Sequence, residues 1–243
     1  MTAVGQRQRR LEDAPLLRGT GRFAADIDFP AQVHMRVVRS PIAYGKIVGI
    51  DTQAARDVAG VVAIWTAADV ADIEPIPFRQ VQLPGMERFR QHILASDYVR
   101  YVGDPIAVVF AENAYVAEDA ADLVFADIEE LPPCLDAAGP IAEFKPGITS
   151  EVGTIEKGYG DIGAAFAAAH RIVALRLKVG RHSGVPLETR GAIATYDAAS
   201  DRIELHGAAK IPHRNRTTLA ALLNHPEERL HLFEGHVGGG FGV

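Results

Sequence analysis

The residues of this 243-residue chain best suited to chemistry lie in its last third. Gly238-Gly239-Gly240-Phe241-Gly242 sets three consecutive glycines beside an aromatic ring. Without Cβ atoms, backbone N–H groups can approach a phosphate or another anionic ligand closely, and Phe241 adds an apolar surface. The same run also reads as a tight turn or a flexible tail, because a short glycine motif is weak evidence alone. A second group, from His182 through Glu188 and Arg190 to Gly191, places three polar side-chain types in a turn-rich connector between predicted strands. Loops on rigid scaffolds often carry function, although Glu188 and Arg190 also read as an exposed ion pair of about 0–1 kcal/mol. The third group is the basic cluster Lys210, His213, Arg214 and Arg216 at the start of a predicted helix. Cations are disfavoured at a helix N-terminus, so the cluster calls for an anionic partner. That partner is a cofactor group, or Glu227 and Glu228 nearby in sequence.

Other chemistries lack their residues. The histidines at 34, 92, 170, 206, 225, 231 and 236 show no HxH or HExxH spacing, so no metal-ligating residue is predicted. No G-x-S-x-G elbow or P-loop is present. Cys134, the single cysteine, rules out an intrachain disulfide and a cysteine-ligated iron–sulfur cluster carried by this chain, and reads as a small apolar filler. A net charge of −6 gives no electrostatic reason to expect nucleic acid or an anionic membrane. The polar, basic start has no apolar run behind it, and no stretch approaches the ~18 apolar residues of a membrane span. The expected location is the cytoplasm.

The elements that must position these residues follow from periodicity. Alternation over 32–40 predicts a strand, and 51–58 a short helix before the apolar run at 61–65. Residues 74–92, rich in Pro, Gln and Arg, predict a long surface loop. The continuous run from Ile106 to Phe110 predicts a buried strand, Asn113 the cap of a following helix, and 124–131 another strand. Alternating strands and helices over the first ~135 residues define a mixed α/β, or α+β, class. Residues 134–160 are rich in Pro and Gly and form the best linker candidate. Asp161 caps a helix over 162–170. Strands are then expected at 171–179, 192–196, 202–208 and 230–234, with a helix at 214–223.

Taken together, these segments resemble the molybdopterin-binding large subunit of the xanthine dehydrogenase/aldehyde oxidase/carbon monoxide dehydrogenase family. The matching pieces are Glu12 to Gly19 with Gly21-Arg22-Phe23, Arg39-Ser40-Pro41 to Ile47, and Val102-Gly103-Asp104-Pro105 with Glu129-Glu130-Leu131-Pro132. Gly160-Asp161-Ile162-Gly163, Leu187-Glu188-Thr189-Arg190-Gly191 and Ile211-Pro212-His213 then precede the GGGFG loop. Each motif is weak alone, but their order covers the chain from about residue 10 onward.

The resemblance implies an α/β-hammerhead domain at 1–138, a linker at 139–152, and the first, incomplete section of a molybdopterin-binding domain at 153–243. It implies hydroxylation of a small substrate with water as the oxygen source. Gly239, Gly240, Phe241 and Gly242 would contact a molybdenum–molybdopterin cofactor through backbone N–H groups, with Glu188 and His213 at the substrate pocket. Lys210 falls where many members hold a glutamine that hydrogen-bonds an oxygen ligand of the metal. A lysine donates but cannot accept, so Lys210 is expected to meet an anionic cofactor or substrate group.

No residue here matches the family's catalytic base, which is expected on a missing C-terminal part. The chain is therefore expected to be inactive alone and to share the cofactor with a partner polypeptide, with iron–sulfur (Fe–S) clusters and FAD on other subunits. The alternatives are an inactive truncated product and a non-catalytic anion- or cofactor-binding module.

Overall fold

In the computed structural model, the described residues are 4–80, 83–180, 182–207 and 210–242. Contacts divide the chain into two units, His34–His182 and a second composed of Met1–Val33 with Ser183–Val243. The N-terminal piece of the second unit carries a short helix, α1 (Asp13–Leu17), and a 3-10 turn at Ala24–Asp26.

The unit His34–His182 begins with β1 (His34–Arg39), β2 (Gly45–Asp51), α2 (Gln53–Arg56) and β3 (Val61–Thr66). It continues with β4 (Tyr98–Val99), β5 (Pro105–Ala111), α3 (Ala114–Asp122) and β6 (Phe125–Glu130). Antiparallel β1 and β3 flank β5, and antiparallel β4 and β6 flank β2. Side chains alternate faces along a strand, so β5 feeds two cores. Val109 packs with Ile64, Ala55, Ala120 and Ala121, while Ile106 packs with Ala95 and Val99. Burial on both faces explains why β5 is a continuous apolar run with no polar alternation.

Local capping matches local sequence. Asn113 Oδ1 accepts from Val116 N at 2.9 Å and starts α3, whose buried alanines face β1 and β5. The segments around Ser40 and Asp104 meet. Ser40 N–H donates to the Asp104 carbonyl at 2.9 Å, Gly103 N–H to the Ser40 carbonyl at 2.8 Å, and Arg100 N–H to Asp104 Oδ2 at 3.0 Å. Both Ser40 and Asp104 are buried, and these bonds satisfy polar groups that would otherwise be costly there.

Beyond β6, the Pro- and Gly-rich stretch contains a small hairpin, β7 (Glu143–Lys145) and β8 (Ile148–Thr149). Lys145 Nζ pairs with Asp97 Oδ2 at 2.6 Å, and the Tyr44 hydroxyl donates to the Phe144 carbonyl. Next comes α4 (Ile162–Ala168), capped by Asp161 accepting from Ala164 N at 2.9 Å. The strand expected at 171–179 is not present. Every residue from 151 to 180 is exposed, and 171–179 joins no ladder among the described residues. Alternation there marks strand potential, but a strand exists only when a neighbour accepts its hydrogen bonds.

The other unit holds β9 (Ala192–Asp197), β10 (Arg202–Gly207), α5 (Pro212–Leu222) and β11 (Leu230–Phe233). β9 and β10 pair antiparallel, and β11 pairs parallel with β10 after the α5 crossover. Parallel neighbours need such a crossover. Pro212 occupies the first turn of α5, where its missing N–H costs nothing. Leu230 and Ala220 are buried where α5 covers β11.

Candidate functional site

β11 carries the chain out of its sheet towards the glycine loop within the unit Met1–Val33 with Ser183–Val243. Just before the loop, the chain is stitched to the N-terminal segment. His236 N–H donates to the Arg22 carbonyl at 3.0 Å, and Arg22 N–H donates to His236 Nδ1 at 3.0 Å. The Phe23 ring lies 5.9 Å from the His236 ring.

Glu188 engages the loop directly. Its Oε2 accepts from Gly238 N–H at 2.5 Å and its Oε1 from Ala24 N–H at 3.3 Å. A Cβ at Gly238 would overlap Glu188 Cβ, so only glycine permits this approach. On the other side, the aliphatic stem of Lys210 lies over Gly240, and Lys210 Nζ reaches the Gly240 carbonyl at 3.4 Å.

Beyond Gly238 the backbone leaves regular geometry. Gly239 has φ 136°, Gly242 has φ 86°, and Phe241 sits at φ 41°. Val185, in the Glu188 connector, is a β-branched residue at φ 39°. Such outliers concentrate at ligand-holding and catalytic sites, where the surroundings enforce them. Among the described residues, no protein acceptor takes the N–H groups of Gly239, Gly240, Phe241 or Gly242. Gly239 and Gly240 are half-buried, and the Phe241 ring is exposed.

The structure therefore brings Glu188 and Lys210 to the glycine loop. His213 stands apart: its side chain is exposed on the first turn of α5, and among the described residues no hydrogen bond or ion pair joins it to the loop. The basic cluster has found a protein partner in part. Arg216 donates to Glu227 Oε1 through Nε at 3.0 Å and Nη2 at 2.8 Å, and these bonds hold the Glu227 carboxyl below its usual range. Of the two partners the sequence allowed, Arg216 takes the glutamate.

Sequence reasoning missed Arg22, Ala24 and His236 as loop supports. The only signal was the Gly21-Arg22-Phe23 motif, whose place beside the loop is a contact over more than two hundred residues. No group of three or more His, Cys, Asp or Glu residues suited to a metal ion occurs among the described residues. Likewise, no helix among them is long and apolar enough to cross a membrane.

A run of uncommitted backbone donors, closely approachable because it lacks Cβ atoms, suits an anionic group rich in oxygen or sulfur acceptors. Molybdopterin meets that description. Two family models match this chain: the aldehyde oxidase and xanthine dehydrogenase a/b hammerhead domain over residues 18–132, and the molybdopterin cofactor-binding domain over 143–243. The gamma subunit of the 6-hydroxypseudooxynicotine dehydrogenase complex of Paenarthrobacter nicotinovorans is 38% identical over 99% of this chain and 31% of its own length. The crystal structure of quinoline 2-oxidoreductase from Pseudomonas putida 86 superimposes with a TM-score of 0.84 at 32% identity, covering 99% of this chain and 31% of that one. The nicotinate dehydrogenase large molybdopterin subunit of Eubacterium barkeri is 28% identical over 98% of this chain and 55% of its own length.

The chain belongs to the aldehyde oxidase and xanthine dehydrogenase family, as a hammerhead domain followed by part of a molybdopterin-binding domain. The cofactor of that second part is molybdenum–molybdopterin. The chain spans about a third of the length of the first two relatives named.

Proposed function

We propose that this chain forms one wall of the cofactor pocket of a molybdenum hydroxylase, an oxidoreductase that hydroxylates a small substrate with oxygen from water. The observation carrying this reading is the loop from Gly239 to Gly242, whose four N–H groups have no protein acceptor among the described residues. Gly239, Gly240, Phe241 and Gly242 would hold the cofactor through these donors, and Phe241 would present an apolar face beside it. When bound there, molybdenum–molybdopterin would supply the two-electron redox chemistry of the hydroxylation.

The contribution of this chain is to bind and orient. Lys210, lying along Gly240, places a cation at the loop and would meet an anionic group of the cofactor or substrate. His213, exposed on α5, is retained as a contact for substrate approaching that face. The general base, the remaining cofactor contacts, the iron–sulfur clusters and the FAD would come from polypeptide outside these residues. The relative from Eubacterium barkeri supports such sharing: its name marks it as one molybdopterin subunit of its enzyme, and this chain spans 55% of it. The proposed division is a hammerhead domain at 1–138, a linker at 139–152 and the cofactor-binding section at 153–243. The two matched ranges, 18–132 and 143–243, leave a gap that overlaps only the start of that linker.

Affinity purification from the native host, followed by elemental analysis, tests the reading. The expected result is a complex that contains molybdenum and a polypeptide carrying the rest of the molybdopterin-binding domain. A monomer of 243 residues that oxidises substrates unaided, or a native complex devoid of molybdenum, would overturn it.

A further inference from the structure

We propose that Glu188 is a positioning residue that presets the glycine loop, and that it spends the first loop donor so that the cofactor is met by the following four. The assignment of those four donors rests on the reading given under Proposed function.

A carboxylate has two acceptor oxygens, and here each takes one backbone N–H: Gly238 at 2.5 Å and Ala24 at 3.3 Å. The two donors lie 50 and 164 residues from Glu188 in sequence. One side chain therefore joins three separate segments: the N-terminal opening, its own connector and the start of the loop. Hydrogen bonds to an ionised acceptor are roughly twice as strong as neutral ones.

Glycine makes this anchoring matter. A glycine-rich run loses more conformational freedom on ordering than any other sequence, and a ligand that must order it binds more weakly by that cost. The upstream side of the loop is held twice, by Arg22 on His236 and by Glu188 on Gly238. Downstream, Phe241 packs against Gly184 and the Lys210 stem against Gly240, with Lys210 Nζ 3.4 Å from the Gly240 carbonyl. The close hydrogen-bonded anchors thus lie at the Gly238 end.

The requirement at position 238 fits this role. The Cβ that a larger residue would bring there overlaps Glu188 Cβ, so the glycine and the glutamate form a matched pair. Each oxygen already accepts one backbone N–H and keeps a lone pair free, so the KM readout below separates loop support from substrate contact. The role proposed here is support of the loop, with substrate contact left to other groups.

The test compares Glu188→Ala and Glu188→Gln with wild type in two arms. In the first, amide hydrogen exchange is measured on the 243-residue chain without cofactor. Glu188→Ala should speed exchange at the Ala24 and Gly238 amides, and at the neighbouring Arg22 and His236 amides, by about tenfold, the loss expected for one charge-assisted bond at each segment. Glu188→Gln keeps one acceptor and turns an NH2 towards the second donor, so only one of the two segments should loosen. Exchange in β9–β11 should stay at wild-type rates.

The second arm uses the assembled complex. Molybdenum per protein should fall several-fold, while KM of the molybdenum-loaded fraction stays at the wild-type value. The proposal is overturned if both variants exchange like wild type at these four amides, or if β9–β11 loosen to the same degree as the loop. It is also overturned if molybdenum is fully retained and KM rises about tenfold, which would make Glu188 a substrate contact. If the wild-type complex itself lacks molybdenum, the cofactor reading fails, and the exchange arm still decides whether Glu188 holds the loop.

Discussion

Asp97 shows how much of this protein's charge is spent on holding local structure. Burial opposes its ionisation, but the Lys145 ammonium at 2.6 Å and the Tyr98 N–H outweigh that and hold its carboxyl below the usual range. As pH falls, the unfolded chain takes up the proton first, so the stability from Asp97 is present above the ordinary aspartate value near pH ~3.9 and is lost as pH falls through the lower folded value. Because the pair is half-exposed, the amplitude is modest. Urea denaturation at a series of acidic pH values, followed by circular dichroism, should show Asp97→Asn flattening the dependence in that range. The variant should change little at neutral slope, and an unchanged acid limb would remove Asp97 from the account. Lys145 also lies 5.1 Å from the Tyr98 ring and 5.7 Å from the Phe144 ring, so the hairpin β7–β8 should loosen when Lys145 is replaced.

Among the elements, β5 bears the most weight because each of its faces fills a separate core. Ile64 on β3 meets the α3 side of β5 and is 1% exposed. Ile64→Ala should destabilise the unit His34–His182 by about 2–5 kcal/mol, as large-to-small changes in well-packed cores do. Thermal unfolding by circular dichroism reads this as a lower midpoint. An unchanged midpoint would mean that the site collapses around the cavity.

Several elements were legible in the sequence because their causes are local. Asn113 and Asp161 cap helices through bonds three residues away, and the run from Ile106 to Phe110 declares a strand buried on both faces. The helix read at 214–223 begins two residues earlier, since Pro212 supplies a helical φ before the periodicity starts. What the sequence hid depends on partners distant in the chain. The alternation at 171–179 describes one side of a ladder and cannot report a missing neighbour. The hairpin β7–β8 lay unseen in a Pro- and Gly-rich stretch, because its docking depends on Asp97 and Tyr44. The same holds at the candidate site. The loop, Glu188 and Lys210 stood out by residue type as candidates, and only the family resemblance gave them a common site, whereas the stitching by Arg22, Ala24 and His236 had no local signal.

For the whole molecule, exposure is unevenly distributed. Residues 151–180 are exposed throughout, including Val173, Leu175, Leu177 and Val179 on one face of the alternating pattern. Backbone outside ladders and helices opens easily and is the preferred substrate of proteases. Brief trypsin treatment of the isolated chain should therefore cut first at Lys157, Arg171, Arg176 or Lys178, apart from the N-terminal tail, with masses read by mass spectrometry. Resistance of all four sites would show that this stretch is covered in solution. Leu175→Glu should leave the unfolding midpoint unchanged, because that side chain is 79% exposed and loses no packing.

The unit His34–His182 also contains the chain's single tryptophan. Trp65 lies edge-on to Phe110 at 4.8 Å, on the sheet that β5 shares with β3. Its emission is thus a private optical signal of that unit. Red shifts during denaturation will follow the hammerhead sheet alone, and the glycine loop can melt or freeze in optical silence. An engineered indole near β9–β11 would give the cofactor side of the protein its own colour.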